Sequence, residues 1–311
     1  MAGTTTTTDT RVPANPTGPA RKDRRHDLGV ALAFIAPAAI GFAVFFLYPT
    51  VRGVYLSFTE YNLFRDPVFV GLENYSAMIQ DDVFWNAMQV TTWYVVLNIG
   101  FQTSIALGMA VLMHRLTKST LVRGSVLLPY LIANVVVALL WFWMLDYQIG
   151  IVNAGIEWLG LDRIPFFGSE NWAIPTIAFV NVWRHMGYTA LLIFAGLQAI
   201  PPTVYEAAAV DGASEWNVFW RITMPLLRPV LVLVLVITVT GSFQVFDTVA
   251  VTTGGGPVNA SRVIQVYIVE RAFERSDFGY AAALSVVLFV LLALIAWAQN
   301  KWLRGGESDL A

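Results

Sequence analysis

The 311-residue sequence contains no cysteine, which excludes disulfide bonds, thiolate nucleophiles and thiolate metal sites. Histidine is scarce as well: His26, His114 and His185 are the only three, and their spacing matches no metal-binding pair. The glycine run at 254–256 is followed by Pro257, whereas a phosphate-binding P-loop needs Gly-Lys and then Ser or Thr. We therefore expect the chain not to be an enzyme, and to hold no metal, no cofactor and no nucleic acid itself.

Charged residues are also few, at 13% of the chain against about a quarter in ordinary soluble proteins, while 57% of the residues are hydrophobic. A stretch of about 20 apolar residues is long enough to cross the hydrocarbon core of a bilayer. Six stretches of the chain qualify, and the sequence therefore predicts an all-α membrane protein with six transmembrane helices. We place these spans at 28–48, 88–113, 121–145, 172–198, 229–251 and 280–302.

The distribution of Lys and Arg predicts the orientation of the spans. With the N-terminus inside, the inner segments hold twelve of these residues and the outer segments hold six. Both termini should then be cytoplasmic, and membrane lipid should surround the spans. Residues 1–27 are rich in Thr and Pro and are expected to form a disordered tail, and 305–311 to form a second tail. The first span is expected to be retained, because it is longer than a signal-peptide core and five spans follow it.

A polar segment at about 200–228 interrupts the apolar pattern between the fourth and fifth spans. It contains Glu206-Ala207-Ala208, then Gly212, and then Ile222 and Pro225. Local rules predict a capping box between Thr203 and Glu206, and a short helix at 204–211 that ends at Asp211. They also predict a left-handed residue at Gly212, a second short helix at 215–223 capped by Ser214, and a stop at Pro225. The two short helices should project from the membrane on the cytoplasmic side.

This segment resembles the EAA loop of the membrane-spanning subunits of bacterial ABC importers. The family pattern runs EAA, three residues, Gly, nine residues and Ile-x-Leu-Pro, and every spacing matches, with Met224 in place of Leu. The flanking sequence is similar to the carbohydrate-uptake branch of that family, which includes maltose-type and glycerol-phosphate-type importers. The similar segments are 195–201 (AGLQAIP), 246–247 (FD), 253–257 (TGGGP) and 279–283 (GYAAA).

The resemblance implies a type I ABC importer permease fold over 28–304, in the cytoplasmic membrane of a bacterium. It implies that the chain is the permease subunit of an ATP-driven sugar importer and forms half of the translocation pathway. The implied partners are a second, non-identical permease, an extracytoplasmic solute-binding protein, and two ATPase subunits that bind ATP and Mg. The residues implied to dock on an ATPase are Glu206, Ala207, Ala208, Asp211, Gly212, Ile222 and Pro225.

Polar groups within the spans are candidates for the solute pathway, because ionisable and amide groups in a membrane usually face a cavity or one another. Hydroxyl-rich solutes need hydrogen-bonding groups and flat aromatic faces. The candidates in the fourth and fifth spans are Asn181, Arg184, Tyr188, Phe243, Gln244, Phe246 and Asp247. The alternative is that such groups only join helices. We favour that alternative for Asn98, Gln102 and Thr240, and an Arg184–Asp247 ion pair is a further possibility.

Two other functions remain open at this point. Import of a phosphorylated polyol, such as a glycerol phosphate ester, would require a cluster of cations or helix N-termini in the pathway. A secondary transporter that works without ATP would require repeated halves and ion-coupling carboxylates, and it would leave the EAA spacing unexplained.

Overall fold

The computed structural model describes residues 24–116 and 119–303. The predicted tails, 1–27 and 305–311, lie outside these residues, except that 24–27 already belong to the first helix. The N-terminal part of the described chain consists of α1 (Arg24–Phe42), a π-helical turn (Ala43–Leu47) and α2 (Tyr48–Leu56). The segment up to Arg52 is a unit of its own, and its large apolar side chains, such as Phe34 and Phe45, are exposed. That exposure suits a helix whose surroundings are lipid.

The regular secondary structure in the rest of the described chain is helical apart from one pair of short strands, β1 (Thr59–Glu60) and β2 (Val68–Phe69). Its helices are α3 (Glu73–Ile79), α4 (Asp82–Leu116), α5 (Thr120–Leu131), α6 (Asn134–Met144), α7 (Ile151–Trp158), α8 (Ala173–Gln198), α9 (Pro202–Val210), α10 (Glu215–Val218), α11 (Met224–Phe243), α12 (Asp247–Thr252), α13 (Ile264–Val269) and α14 (Phe278–Leu303). Two further π-helical turns, Phe219–Thr223 and Glu270–Glu274, follow α10 and α13.

Within the described residues, five helical segments are long and apolar enough to span a membrane, and the bent pair of α5 and α6 would make a sixth. The expected all-helical membrane architecture is confirmed, but two predicted spans are not single helices. The span predicted at 121–145 breaks at Ile132 and Ala133, where the axes of α5 and α6 differ by 87°. The span predicted at 229–251 breaks between α11 and α12, at 244–246. Apolar runs reveal length but not such bends.

Two clusters of buried apolar residues hold the bundle together. The first joins the N-terminal halves of α4 and α8 to α13 and α14, with Tyr94 and Ile177 among its members. The second joins the C-terminal halves of α4 and α8 to α11, with Ile193 and Leu227 fully buried. Between the two clusters, the facing positions of α4, α8 and α11 carry polar side chains, which we call the polar layer: Asn98, Gln102, Asn181, Thr189, Thr238 and Ser242.

Helix α5 approaches α8 closely enough that only glycine fits at the crossing. A Cβ atom at Gly187 would overlap the backbone carbonyl of Val126. This approach places the end of α5, and therefore the break before α6, against the middle of α8.

Arg184 of α8 stabilises that break. Its Nε and Nη2 donate to the carbonyl of Ile132 at 3.2 and 3.1 Å, and Nη2 also donates to the carbonyl of Tyr130 at 3.2 Å. Helix C-termini leave their last carbonyls without partners in the helix, and lipid cannot supply the missing donors. The guanidinium therefore replaces the backbone hydrogen bonds that the third span loses where it bends.

A second polar contact ties the loop before α4 to α13 and α14. The carboxylate of Asp81 accepts hydrogen bonds from the hydroxyls of Tyr267 and Tyr280, the latter at 2.6 Å. Burial opposes ionisation of Asp81, but these bonds and those from the amides of Val83 and Phe84 outweigh it, so the pKa of Asp81 lies below its ordinary value. Burial and the bond to Asp81 raise the pKa of Tyr267 to about 12.

The substitution Arg184→Lys tests the role of this side chain at the break. Lysine keeps the charge but lacks the planar fork, so it cannot serve the carbonyls of Tyr130 and Ile132 together. We expect thermal unfolding of the purified protein to reveal a loss of roughly 2 kcal/mol, as for a buried carbonyl left without a donor. The control is Arg275→Lys, at a side chain that is 54% exposed and pairs with Glu270, where the loss should be at most about 0.5 kcal/mol. Equal losses in the two variants would contradict the assignment.

Cysteine labelling tests the predicted orientation, since the chain has no cysteine of its own. The glycine-rich turn should lie outside, and its Val258 is 84% exposed, whereas Ser261 in the same turn is buried. The end of α4 should lie inside, and its Leu116 is 77% exposed. In intact cells, Val258→Cys should react with an impermeant maleimide and Leu116→Cys should react only after permeabilisation. The reverse pattern would refute the orientation.

Candidate functional site

A cavity of about 390 Å³ lies at the polar layer, where α4, α5, α8, α11 and α12 meet. Six of the predicted pathway residues line it: Asn181, Arg184, Tyr188, Gln244, Phe246 and Asp247. Phe243 does not belong to the described lining. It is 6% exposed and packs in the first apolar cluster, because α11 ends there and the chain turns before Gln244.

The bend of the third span contributes to this cavity. Tyr130, at the end of α5, and Asn134, at the start of α6, both line it. Backbone that is not helical is tolerated at membrane depth only where it is buried in protein or borders a cavity. The break between α5 and α6 satisfies this condition, and it brings backbone and side-chain polar groups to the cavity wall.

The ion pair between Arg184 and Asp247 that the sequence allowed is not formed among the described residues. Arg184 is occupied by the helix break and by His185, whose Nε2 lies 2.8 Å from Nη1. Asp247 accepts a hydrogen bond from Nδ2 of Asn134 at 3.0 Å. Asn181 is engaged as well, since its Nδ2 donates to Oγ1 of Thr248 at 3.2 Å. The wall near Asp247 is therefore built of side chains that already hold one another in place.

Aromatic rings form another part of the wall. The rings of Tyr130 and Tyr188 are stacked, with centroids 4.6 Å apart and planes 13° apart. The guanidinium of Arg184 lies over the ring of Tyr130, at 5.2 Å from its centroid. Phe246 adds a further ring to the lining. Flat aromatic faces next to amide and hydroxyl groups are typical of sites for small polar molecules with an apolar face.

Amide and hydroxyl side chains close the cavity on the side nearer the second apolar cluster. Nδ2 of Asn98 donates to Oε1 of Gln102 at 3.1 Å and to Oγ of Ser242 at 2.9 Å. Nε2 of Gln102 donates to Oγ1 of Thr189 at 2.8 Å. These residues join α4, α8 and α11, as the sequence suggested for Asn98 and Gln102, but they also line the cavity. Thr240 is half-buried and is not part of the described lining.

Sequence reasoning missed Tyr130, Asn134, Thr189 and Ser242 as lining residues. A signal existed for the first two, since Tyr and Asn stand in an otherwise apolar stretch. This signal could not be interpreted without the bend, because nothing in a straight third span indicates that both side chains face α8. Threonine and serine, here Thr189 and Ser242, are common in membrane helices, where the hydroxyl often bonds to a carbonyl of the same helix. Ser242 does so with the carbonyl of Thr238.

The EAA segment (200–228) begins with a short helix, α9, as predicted, but this helix is not capped as predicted. Pro201 occupies the position before α9 and Pro202 begins the helix, so Thr203 lies inside it and the capping box with Glu206 does not form. Proline at the first helical position is favourable, because its missing N–H would have no partner there. Glu206 and Ala207 are exposed, whereas Ala208 is 5% exposed and faces the protein.

The turn after α9 agrees with the local rules. Gly212 has a φ of +68°, a conformation that glycine adopts without strain, and Asp211 just before it is exposed. Oγ of Ser214 accepts a hydrogen bond from the amide of Asn217 at 3.4 Å, which caps α10. The sequence around this turn thus determines its local conformation.

The prediction that Pro225 ends the second short helix is wrong. Helix α10 continues through the π-helical turn (Phe219–Thr223) into α11, and Pro225 lies in the first turn of α11. In the π-helical turn the amide of Met224 bonds to the carbonyl of Phe219, five residues back. This wider turn changes the bonding register just before the proline, so the helix continues. Ile222, within the π-helical turn, is half-buried.

Comparison with known proteins agrees with the helical membrane architecture described above. Residues 102–303 match the family described as the binding-protein-dependent transport system inner membrane component. The chain is 36% identical to the sulfoquinovosyl glycerol transport system permease protein SmoG of Agrobacterium fabrum, over 89% of this chain and 92% of that protein. It is 32% identical to the trehalose/maltose permease MalF of Thermococcus litoralis, over 87% and 92% of the two chains.

It is also 32% identical to the sn-glycerol-3-phosphate permease UgpA of Agrobacterium fabrum, over 87% of this chain and 93% of that protein. Among solved structures, a bacterial alginate ABC transporter in complex with an alginate pentasaccharide-bound periplasmic protein has a chain with a TM-score of 0.79. That chain is 26% identical, with 90% of this chain and 95% of that chain covered. The chain therefore belongs to the family of binding-protein-dependent inner-membrane transport components, the permeases of ABC importers.

Proposed function

We propose that this permease imports a sugar and that the solute passes through the cavity at the polar layer. The observation that supports this most directly is the lining itself, which combines amides, hydroxyls and stacked tyrosine rings in a volume of about 390 Å³. A sugar offers hydroxyl groups for the first two and an apolar ring face for the third. The relatives that carry sulfoquinovosyl glycerol and trehalose or maltose, and the alginate transporter, support the same class of solute.

Import of a phosphorylated polyol is the second candidate, because UgpA is 32% identical to this chain. The charged residues of the cavity fit a phosphorylated polyol less well than a sugar. The described lining of the cavity holds Arg184, His185 and one carboxylate, Asp247, and most donors of Arg184 already serve backbone carbonyls and His185. A phosphate group would need further cations, which this part of the pathway lacks among its described residues. A secondary transporter that works without ATP is excluded, because the chain belongs to the permeases of ABC importers.

In the proposed assembly, the segment Pro202–Val210 and the turn at Gly212 dock on an ATPase subunit, which binds ATP and Mg. Glu206, Ala207, Asp211 and Pro225 are exposed and available to a partner. A second permease completes the pathway and docks on the second ATPase. The carboxyl end of α8 leads directly into α9, so that movement of α9 would act on the helix that carries Arg184 and Tyr188. Nucleotide then drives transport by favouring one conformation over the other.

The same proposal places both termini in the cytoplasm and the glycine-rich turn outside, where an extracytoplasmic binding protein delivers the solute. The two-to-one excess of Lys and Arg in the inner segments supports this orientation.

Uptake by the reconstituted complex tests the sugar proposal. Vesicles supplied with ATP are offered trehalose, maltose, sulfoquinovosyl glycerol and sn-glycerol-3-phosphate, and the accumulated solute is identified by mass spectrometry. We expect a sugar to accumulate, and Gln244→Ala to lower its uptake about fivefold, as for one lost hydrogen bond, with little change in thermal stability. Gln80→Ala, in the loop before α4, is the matched control. Uptake of sn-glycerol-3-phosphate alone would refute sugar import and favour the second candidate. Normal uptake by Gln244→Ala would show that the solute does not bind at Gln244.

The coupling segment is tested by two substitutions at Gly212. A Cβ atom there would meet no neighbour within 4 Å, so any effect arises from the backbone alone. Gly212→Val forces a β-branched residue into the left-handed region, at a cost of roughly 1–2 kcal/mol, and should abolish most of the solute-stimulated ATP hydrolysis of the complex. Gly212→Asn should keep it, since asparagine tolerates this conformation. Equal stimulation in both variants would disprove the role of the turn.

A further inference from the structure

The polar layer contains one buried hydrogen-bond acceptor without a partner, Oδ1 of Asn98. Asn98 is 4% exposed and lines the cavity. Buried polar atoms in proteins nearly always have a partner, so an exception at a cavity wall is a position that a water molecule or a bound solute completes.

The orientation of this carboxamide is determined by its neighbours. Oγ of Ser242 donates its proton to the carbonyl of Thr238 at 2.7 Å, so it can only accept from Asn98. The other contact of the Asn98 amide is the oxygen Oε1 of Gln102, whose Nε2 in turn donates to Thr189. Reversing this carboxamide alone would set its oxygen against Oε1 of Gln102. Reversing Gln102 with it, with the Thr189 hydroxyl as the donor, would restore that contact but would cost the bond from Ser242 to the carbonyl of Thr238. The NH2 group therefore faces Gln102 and Ser242, and the oxygen is the atom left over.

We propose that Asn98 is a specificity-determining residue whose Oδ1 accepts a hydrogen bond from a hydroxyl group of the solute. This inference rests on the proposed sugar pathway. The oxygen is buried in the present conformation, so this contact requires a small rotation of the carboxamide or a slight separation of α4 from α11 during transport. The group that it selects must be a donor. A hydroxyl meets that condition, whereas an ionised phosphate, sulfonate or carboxylate has no proton to donate and would meet the oxygen lone pairs instead.

A cycle of monodeoxy sugars and Asn98 variants tests this proposal in the reconstituted complex. The probes are trehalose, maltose and sulfoquinovosyl glycerol, together with the monodeoxy analogues of whichever of them accumulates. In the unsubstituted complex, one analogue should be taken up about tenfold less efficiently than its parent, because it leaves Oδ1 without a donor. In Asn98→Leu, parent and analogue should be taken up equally. In Asn98→Asp, which keeps an acceptor oxygen but loses the NH2 donors, the parent should again be preferred.

The control is Thr91→Val on the same helix. Thr91 is buried, accepts a bond from the amide of Ile264 and lies outside the described cavity lining, so its loss should lower thermal stability without changing the preference among analogues. Asn98→Ala replaces Asn98→Leu if the leucine variant does not assemble. An equal loss for every analogue in the Asn98 variants would overturn the proposal and leave sugar import standing. Failure of the unsubstituted complex to accumulate any of the three sugars would overturn the proposed function itself.

Discussion

The central constraint on this bundle is that polar groups in its middle must be satisfied by the protein, because lipid offers no partners. Two apolar clusters leave a polar layer between them, and five of its six side chains form hydrogen bonds between helices, whereas Thr238 bonds to the carbonyl of Val234 in its own helix. The guanidinium of Arg184 is the most consequential of these groups. By serving the carbonyls of Tyr130 and Ile132, it permits the third span to bend by 87° inside the protein. Without that bend, Tyr130 and Asn134 would not reach the cavity wall.

The same helices carry the cavity and the exposed segment. Helix α8 holds Arg184 and Tyr188 at its middle and passes through Ile200 and Pro201 into α9. Helix α11 ends at the cavity and begins at the π-helical turn that follows α10. In the proposed transport cycle, a movement of the exposed segment therefore reaches α8 through the short connection at 199–201 and α11 through a continuous helix. The close crossing of α5 at Gly187 would carry such a movement to the helix break.

Local chemistry near the EAA segment was predictable because it depends on neighbours in sequence. Gly212 adopts the left-handed conformation and Ser214 caps the next helix, as their residue types indicate. The errors in the same segment have local causes too: Pro202 takes the first helical position from Thr203, and a π-helical turn lets Pro225 continue a helix that it was expected to end. In the spans, apolar length was sufficient to locate the helices. It was insufficient to locate their breaks, which depend on donors from other helices.

The sequence by itself determined that the chain is a membrane bundle, where its spans lie, and that it carries the EAA pattern of the family. These properties follow from composition, length and spacing, which need no partner. Only the tertiary structure decided which polar residues meet. Arg184 and Asp247 have opposite charges and lie on consecutive spans, but each forms its hydrogen bonds with the third span instead of with the other. The bend of the third span, which brings these partners close, is not visible in the periodicity of the sequence. The unpartnered oxygen of Asn98 is likewise a property of three helices together, since its neighbours determine which of its atoms remains free.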